Sequence, residues 1–351
     1  MGRSLTISKI TSPTRYIPSE SASLNIVIIT TGLSPIVHPL LDSRHKIVGI
    51  VDCGGKEAEE SAAPSTLYRL LRAGYQFIRH HSPSLASVAA KRDIPYYCAP
   101  DKTALAPQRL APWIRELRPD VIVVYFAPIL DQRIFTIPPL GTINLHSSLL
   151  PAYRGGHPLF WTVYNGDTQA GVTVHLVDGH MDTGDILYQH AFPIEPGMSE
   201  SALVNLAIGR HGVRLMFKAL DALAIGGCLR LPQPYKSPTS AATWVDSQRL
   251  RTLIDWDHWP IKRIWSLLRF AETWKNVLPC PPGWKSPFQW AIGDYTQEPV
   301  TGTPGSIAQD RLGYYLVHPA GKIRLYVRYE LGRYVKSIVS RLKGYPVVRY
   351  S

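Results

Sequence analysis

Cysteine is scarce in this chain. There are four in 351 residues, Cys53, Cys98, Cys228 and Cys280, with no Cys-x-x-Cys pair. That spacing excludes a disulfide scaffold and the common zinc-ligand patterns, and it predicts a reducing, cytoplasmic setting. No segment approaches the roughly 18 uninterrupted apolar residues of a membrane span, so no membrane partner is expected. The opening "MGRSLTISKITSPTRYIPSESAS" lacks the apolar core of a signal peptide and predicts a disordered extension over 1–23. Acidic residues are also few, 26 against 38 Lys and Arg, giving a formal net charge of +12. The deficit is uneven: residues 231–351 hold 17 Lys and Arg against 8 Asp and Glu, whereas 151–230 hold 5 against 7. A polyanionic partner is therefore expected on the C-terminal third; the plainer reading is that scattered surface cations keep the chain soluble.

Apolar runs are short and regularly placed. "LNIVIITTG" at 24–32, "KIVGIVD" at 46–52, "VIVVYF" at 121–126 and "GTINLH" at 141–146 read as strands, with another near Pro95–Cys98. Helical patterns fall between them: "PIVHPLL", "AAPSTLYRLLRAGYQFIRHHSPSLASVAAKRDIPYY", and an amphipathic "LAPWIRELRPD" stopped by Pro119. Strands alternating with helices predict an open α/β sheet with right-handed crossovers, over residues 24–225. Such sheets bind ligands beyond the carboxyl ends of their strands, which places "YFAPIL", "NLHSSLLP" and the loop after "GVTVHLV" on one rim. The "TTGLSP" turn lacks the GxGxxG spacing of a dinucleotide site. Proline is plentiful, at 30 residues, and clusters in stretches such as "PQPYKSPTS", so 226–245 reads as a linker. Residues 246–351 begin with a Trp-rich helical segment. Short runs follow ("GYYLVH", "KIRLYVRYE", "YPVVRY"), predicting a smaller, mostly β, barrel-like domain.

The chemistry gathers in "GTINLHSSLLPAYRGGHPLFW" and, further on, "DGHMDTGDIL". At the end of a strand, Asn144 and His146 share one face, so an amide NH2 lies beside an imidazole. That pair suits stabilising an oxyanion while a proton moves. Asp182 can orient the imidazole or hold it charged. Singly, Asn144 reads as a turn cap and His146 as a hydrogen-bonded core histidine. Arg154 could grip a carboxylate or phosphate at the rim, or pin its loop through a salt bridge. Phe160 and Trp161 read as a stacking wall for an acceptor or as helix core. His157, His175 and His180 receive no role, and no metal is expected, because His146, His175, His180 and Asp182 lack any standard ligand spacing.

Taken together, Asn144-x-His146, Ser148-Leu149-Leu150-Pro151, Arg154-Gly155 and Asp182-Thr183-Gly184 resemble the formyltransferase family that uses 10-formyltetrahydrofolate. The likeness covers about residues 24–220 and extends more loosely through "IDW" and "TGTPGSI" to the C-terminal domain of the methionyl-tRNA formyltransferase branch. It implies a Rossmann-like, mostly parallel sheet with a smaller OB-like C-terminal domain. It also implies transfer of a formyl group from N10 of the folate to a primary amine. Asn144 would donate to the developing oxyanion, His146 would stabilise it and help move protons, and Asp182 would hold the imidazole and help deprotonate the amine through water. Phe126, Ile129, Leu130, Val177, Asp178 and Gly179 would line the folate pocket. Ser148 and Arg154 fall on the acceptor side. The acceptor stays open between an aminoacyl-tRNA, suited to a basic C-terminal region, and an amino sugar. "DCGGKEAEESAAPS" and "RGGHPLFW" depart from the tRNA branch. A folate hydrolase or a non-catalytic binder on the same fold ranks below both.

Overall fold

The computed structural model describes residues 23–54, 84–101, 103–274, 277–279 and 289–328. The extension predicted over 1–23 (all but Ser23), most of the long helical pattern before Leu85, most of the acidic loop after Asp52 and the run "YPVVRY" lie outside these residues.

Seven strands form the larger sheet: β1 Asn25–Thr30, β2 Lys46–Asp52, β3 Tyr96–Cys98, β4 Val121–Tyr125, β5 Thr142–His146, β6 Gln169–Leu176 and β7 Ile186–Pro193. Their order is β3-β2-β1-β4-β5-β6-β7. β1 to β5 are parallel; β6 and β7 run antiparallel. The predicted strands are therefore present, and two antiparallel strands extend the sheet on the β5 side. β1 shows why its sequence is an unbroken apolar run. Ile26 and Ile28 enter one core with Met216, Ala219 and Leu220, while Val27 and Ile29 enter a second with Leu110, Ile114 and Ile134. A strand covered on both faces has no polar face to alternate with.

Helices supply both covers. Pro107–Leu117 starts with proline at its first turn and ends at Arg118, whose φ is +47. On the other face, Glu200–Val204, a π-type stretch Asn205–Gly212 and Val213–Ala224 form one continuous rod against β6 and β7.

The smaller sheet is wholly antiparallel, in the order β8-β11-β10-β9, from β8 Gln289–Thr296, β9 Ile307–Asp310, β10 Gly313–His318 and β11 Gly321–Arg328. The helix Ile261–Phe270 joins the two parts. Its Arg263 donates to the Tyr164 carbonyl at 2.7 Å, and its Trp265 indole donates to the Gly293 carbonyl at 2.8 Å. Much of the C-terminal charge is internally matched: Lys322 and Arg324 pair with Asp310, and Arg269 and Arg328 with Glu272.

Candidate active site

Strand order reverses between β1 and β4, and there a cavity of about 390 Å³ opens at the carboxyl rim. Thr31, Phe126, Asn144, His146, His175 and Asp182 line it from the ends of β1, β4, β5 and β6 and from the turn after β6. Strand alternation sends Leu145 into the core, close against Gly212, and leaves Asn144 and His146 on the opposite face.

Hydrogen bonds fix the protonation pattern of this cluster. His146 Nε2 lies 3.0 Å from the Tyr153 carbonyl. A carbonyl only accepts, so Nε2 carries a proton and the neutral ring leaves Nδ1 as a lone pair. Burial is the largest influence on this imidazole and lowers its pKa, outweighing the nearby Asp182 carboxylate. His175 is arranged in the reverse sense. Its Nδ1 donates to the Leu176 carbonyl at 2.8 Å, so in the neutral ring Nε2 accepts from the Asn144 amide at 3.1 Å. The second Asn144 N–H has only a 3.4 Å contact with Asp182 Oδ1 and is the donor most available to an incoming oxygen.

Asp182 is held by the Gly155 N–H, which donates to Oδ2 at 2.8 Å. Burial alone would raise its pKa, but the His146 and His175 imidazoles and the Gly155 N–H outweigh it and keep the carboxyl ionised, below its usual range. Phe126 and Asp182 both adopt left-handed backbone, with φ of +51 and +54. Such conformations cost of order 1–3 kcal/mol for residues with side chains, and they concentrate at functional sites. The Thr31 hydroxyl, donating to the Phe126 carbonyl at 2.6 Å, helps hold the first of them.

Several sequence expectations change here. Asp182 does not accept the ring proton of His146: Nδ1 and Oδ2 are 3.7 Å apart, and the Tyr153 carbonyl orients the ring instead. Ser148 is buried outside the pocket, donating to the Ala152 carbonyl at 2.7 Å, because its loop folds back on itself. Arg154 is not among the residues lining the pocket and pairs with no carboxylate among the described residues; its guanidinium donates to the Tyr235 and Pro234 carbonyls and to Gln233 Oε1. Phe126, Ile129, Leu130, Val177 and Asp178 do line the pocket, but Gly179 stands outside it while His180 and Met181 are inside. Phe160 is fully buried, and Trp161 is half-buried against the same core and donates to the Thr243 carbonyl; neither lines the pocket. His157 is buried too, stacked between Trp244 and Trp274. Among the described residues no group of three or more His, Cys, Asp and Glu is arranged to hold a metal.

Two participants were missed. His175 was legible only through strand pairing: β6 runs antiparallel to β5 and sets His175 opposite Asn144. The other is the segment 226–245, read as a linker. It lies across the site as a strap, with Gln233 donating to the Asp182 and Gly184 carbonyls, Ser237 to the Pro151 carbonyl and the Tyr153 N–H to Thr239. Trp244, near its end, lines the pocket.

Sheet, rim cavity and polar cluster together define an α/β enzyme whose pocket pairs an oxyanion donor with a neutral imidazole and a carboxylate. The family model described as formyl transferase matches residues 73–220. The methionyl-tRNA formyltransferase of Trichlorobacter lovleyi is 30% identical over 267 residues, covering 76% of this chain and 81% of that protein. That of Geobacter sulfurreducens is 39% identical over 150 residues, 42% of this chain and 46% of its own length. Among solved structures, WlaRD, a sugar 3N-formyl transferase, superposes with a TM-score of 0.53 at 16% identity, over 88% of this chain and 100% of that one. A HypX variant from Aquifex aeolicus gives 0.55 at 14% identity, over 90% of this chain and 48% of that one, and both likenesses speak to the fold. The chain belongs to the formyltransferase family, and it is an enzyme that transfers formyl groups. No helix among the described residues is long and apolar enough to cross a membrane.

Proposed function

We propose that this enzyme moves the formyl group of 10-formyltetrahydrofolate to the α-amine of methionyl-tRNA. The observation that carries the reading is the meeting of Asn144, His146 and Asp182 in one rim pocket, in a chain that spans most of a methionyl-tRNA formyltransferase. The half-exposed Phe126 and exposed Ile129, with Leu130 and Val177, offer an apolar wall suited to a flat pterin, and Asp178 adds a polar group beside it.

In this reading the amine nitrogen forms a bond to the formyl carbon, and the carbonyl electron pair moves onto oxygen. Asn144 donates its available N–H to that oxygen. His146 Nδ1 and the Asp182 carboxylate take the proton that the amine loses, directly or through water. Collapse restores the carbonyl, breaks the bond to N10 and leaves one proton on the folate nitrogen. His175 acts through Asn144, by turning its amide. Residues 24–225 form the catalytic unit, 226–245 the strap that closes it, and 246–351 the part that meets the tRNA body. The C-terminal excess of cations supports this last assignment. Five Lys and Arg against one Glu fall in 329–351, outside the described residues. The scarcity of cysteine supports a cytoplasmic setting. The amino-sugar alternative loses the support it drew from Phe160 and Trp161, neither of which lines the pocket.

The test is formyl transfer from 10-formyltetrahydrofolate to methionyl-tRNA, to nucleotide-linked amino sugars and to water. Turnover with methionyl-tRNA that weakens steeply with added salt is expected; transfer only to the sugars would replace the acceptor, and release of free formate alone would replace the reaction.

The buried His146 sets a pH dependence. Its pKa lies below the ordinary 6.5, so the base form persists through neutrality and the acid limb of kcat/KM falls below pH 6.5. Unfolding restores the ordinary value. Between the two pKa values the unfolded chain binds the extra proton, so stability falls as pH drops through that window. An acid limb at or above pH 7 would remove His146 as the neutral base.

A further inference from the structure

Among the described residues Trp244 is the one tryptophan lining the pocket, and the strap, not the sheet, brings it there. One face of its indole is committed. It stacks on His157 with ring centroids 4.4 Å apart and planes at 15°. His157 is fixed in turn by Trp274, stacked at 5.3 Å, and by Glu200, whose Oε1 lies 3.5 Å from His157 Nε2 and whose Oε2 accepts from the Trp274 indole at 2.7 Å. The indole also meets the Phe126 ring, with centroids 6.1 Å apart and planes at 47°, and the residue is still 56% exposed while His157 behind it is buried. A large apolar side chain held rigid from behind and left open in front is the form of a binding wall. Its position is specific. Gly156 lies beside it: a Cβ there would sit 4.0 Å from the indole, in ordinary van der Waals contact. The adjacent Gly155 N–H holds the Asp182 carboxylate. The indole therefore borders the loop whose N–H holds the proton-accepting carboxylate, where the attacking amine must arrive. Met181, half-exposed, lines the same pocket next to Asp182.

Resting on the acceptor reading above, we infer that Trp244, with Met181 and the bare backbone of Gly155 and Gly156, forms a subsite for the apolar side chain borne by the carbon next to the reacting amine. An unbranched thioether or aliphatic chain fits such a surface, since sulfur and methylene groups pack well on an aromatic ring. Burying a side chain of that size is worth enough to set specificity by one to two orders of magnitude. The subsite selects the acceptor, and Phe126, which Trp244 touches, is its boundary with the folate wall.

The experiment compares one tRNA body charged with methionine or with alanine, using the full-length protein. Wild type is expected to prefer the methionyl form by about 10- to 30-fold in kcat/KM. Trp244→Ala should erase that preference, by raising KM for the methionyl form about 10-fold or more while changing the alanyl form less than about threefold. Trp244→Phe should restore most of it. Affinity for 5-formyltetrahydrofolate, a non-reacting folate, should be the same in all three proteins, which also shows that the strap has not been lost. If Trp244→Ala weakens both acceptors equally, or weakens folate affinity, the subsite is wrong. If wild type formylates neither tRNA, the acceptor reading beneath it fails and the inference with it.

Discussion

Asp182→Asn lowers kcat for formyl transfer by about three orders of magnitude while leaving the affinity for 5-formyltetrahydrofolate within a few fold. The carboxylate is the focus of two donors, the Gly155 N–H at 2.8 Å and the Asn144 amide at 3.4 Å, with the His175 ring 3.5 Å away. An asparagine can still accept from Gly155 with its oxygen, so the turn holds and the protein folds. Its NH2 then faces the Asn144 NH2, two donors in opposition, and the ionised acceptor beside the oxyanion donor is gone. Both losses fall on the transition state, so kcat and kcat/KM drop together. Asn144→Ala removes the oxyanion donor alone and should cost about 10²- to 10³-fold. Single-turnover rates together with folate titration check both variants. A fall of less than tenfold in Asp182→Asn would mean that solvent takes the proton without help, and the role given to Asp182 would have to be withdrawn.

The parts of this protein that a reader of its sequence can see are those whose physics is local. A strand buried on both faces must be apolar throughout, so β1, β2 and β4 stand out as runs of Val and Ile. Strand alternation put Asn144 and His146 on one face, and the short motif around Asp182 brought the carboxylate to the same rim. Direction of pairing is not local. Nothing in "GVTVHLV" distinguishes a parallel from an antiparallel strand, and only the antiparallel register brings His175 to Asn144. The same limit applies to Arg154. Its charge invited an anion, but proximity to the carbonyls of the strap decided its partners. A stretch rich in proline and serine reads as a tether whether it swings free or is fastened at both edges of a site. Here the difference lies in bonds between residues some eighty positions apart, such as the Tyr153 N–H to Thr239. His157 and Phe160 show the converse. Both lie where the sequence departs from the tRNA-type motif; Phe160 suggested an acceptor wall and His157 had no role, and both are core packing, in which ring stacked on ring carries the tertiary structure.

Gly184→Ala and Gly179→Ala, two glycines of the same turn, should behave oppositely. A Cβ on Gly184 would lie 1.9 Å from the Leu176 carbonyl oxygen and 2.8 Å from its carbon. Both are backbone atoms of β6, the strand that carries His175, and Leu176 is tied to the turn because its N–H donates to the Asp185 carbonyl at 2.9 Å. Neither side can yield without opening that bond or displacing the Gln233 amide, which donates to the Gly184 carbonyl at 2.6 Å. The substitution should destabilise the protein by roughly 3 kcal/mol or more, the range of overpacked sites where backbone must move. It should also cut turnover, since Asp182 loses its place. A Cβ on Gly179 meets nothing within 4 Å, so Gly179→Ala should leave stability within about 0.5 kcal/mol of wild type and activity unaffected. Chemical denaturation of the two variants beside formyl-transfer rates separates them. Equal stabilities would mean that the turn adapts, and that the third residue of the Asp-Thr-Gly motif is glycine for some reason other than the closeness of β6. The expected contrast instead identifies that glycine as the point where the proton-accepting carboxylate is locked to the strand bearing His175, so that one steric contact fixes the distance between the base and the oxyanion donor.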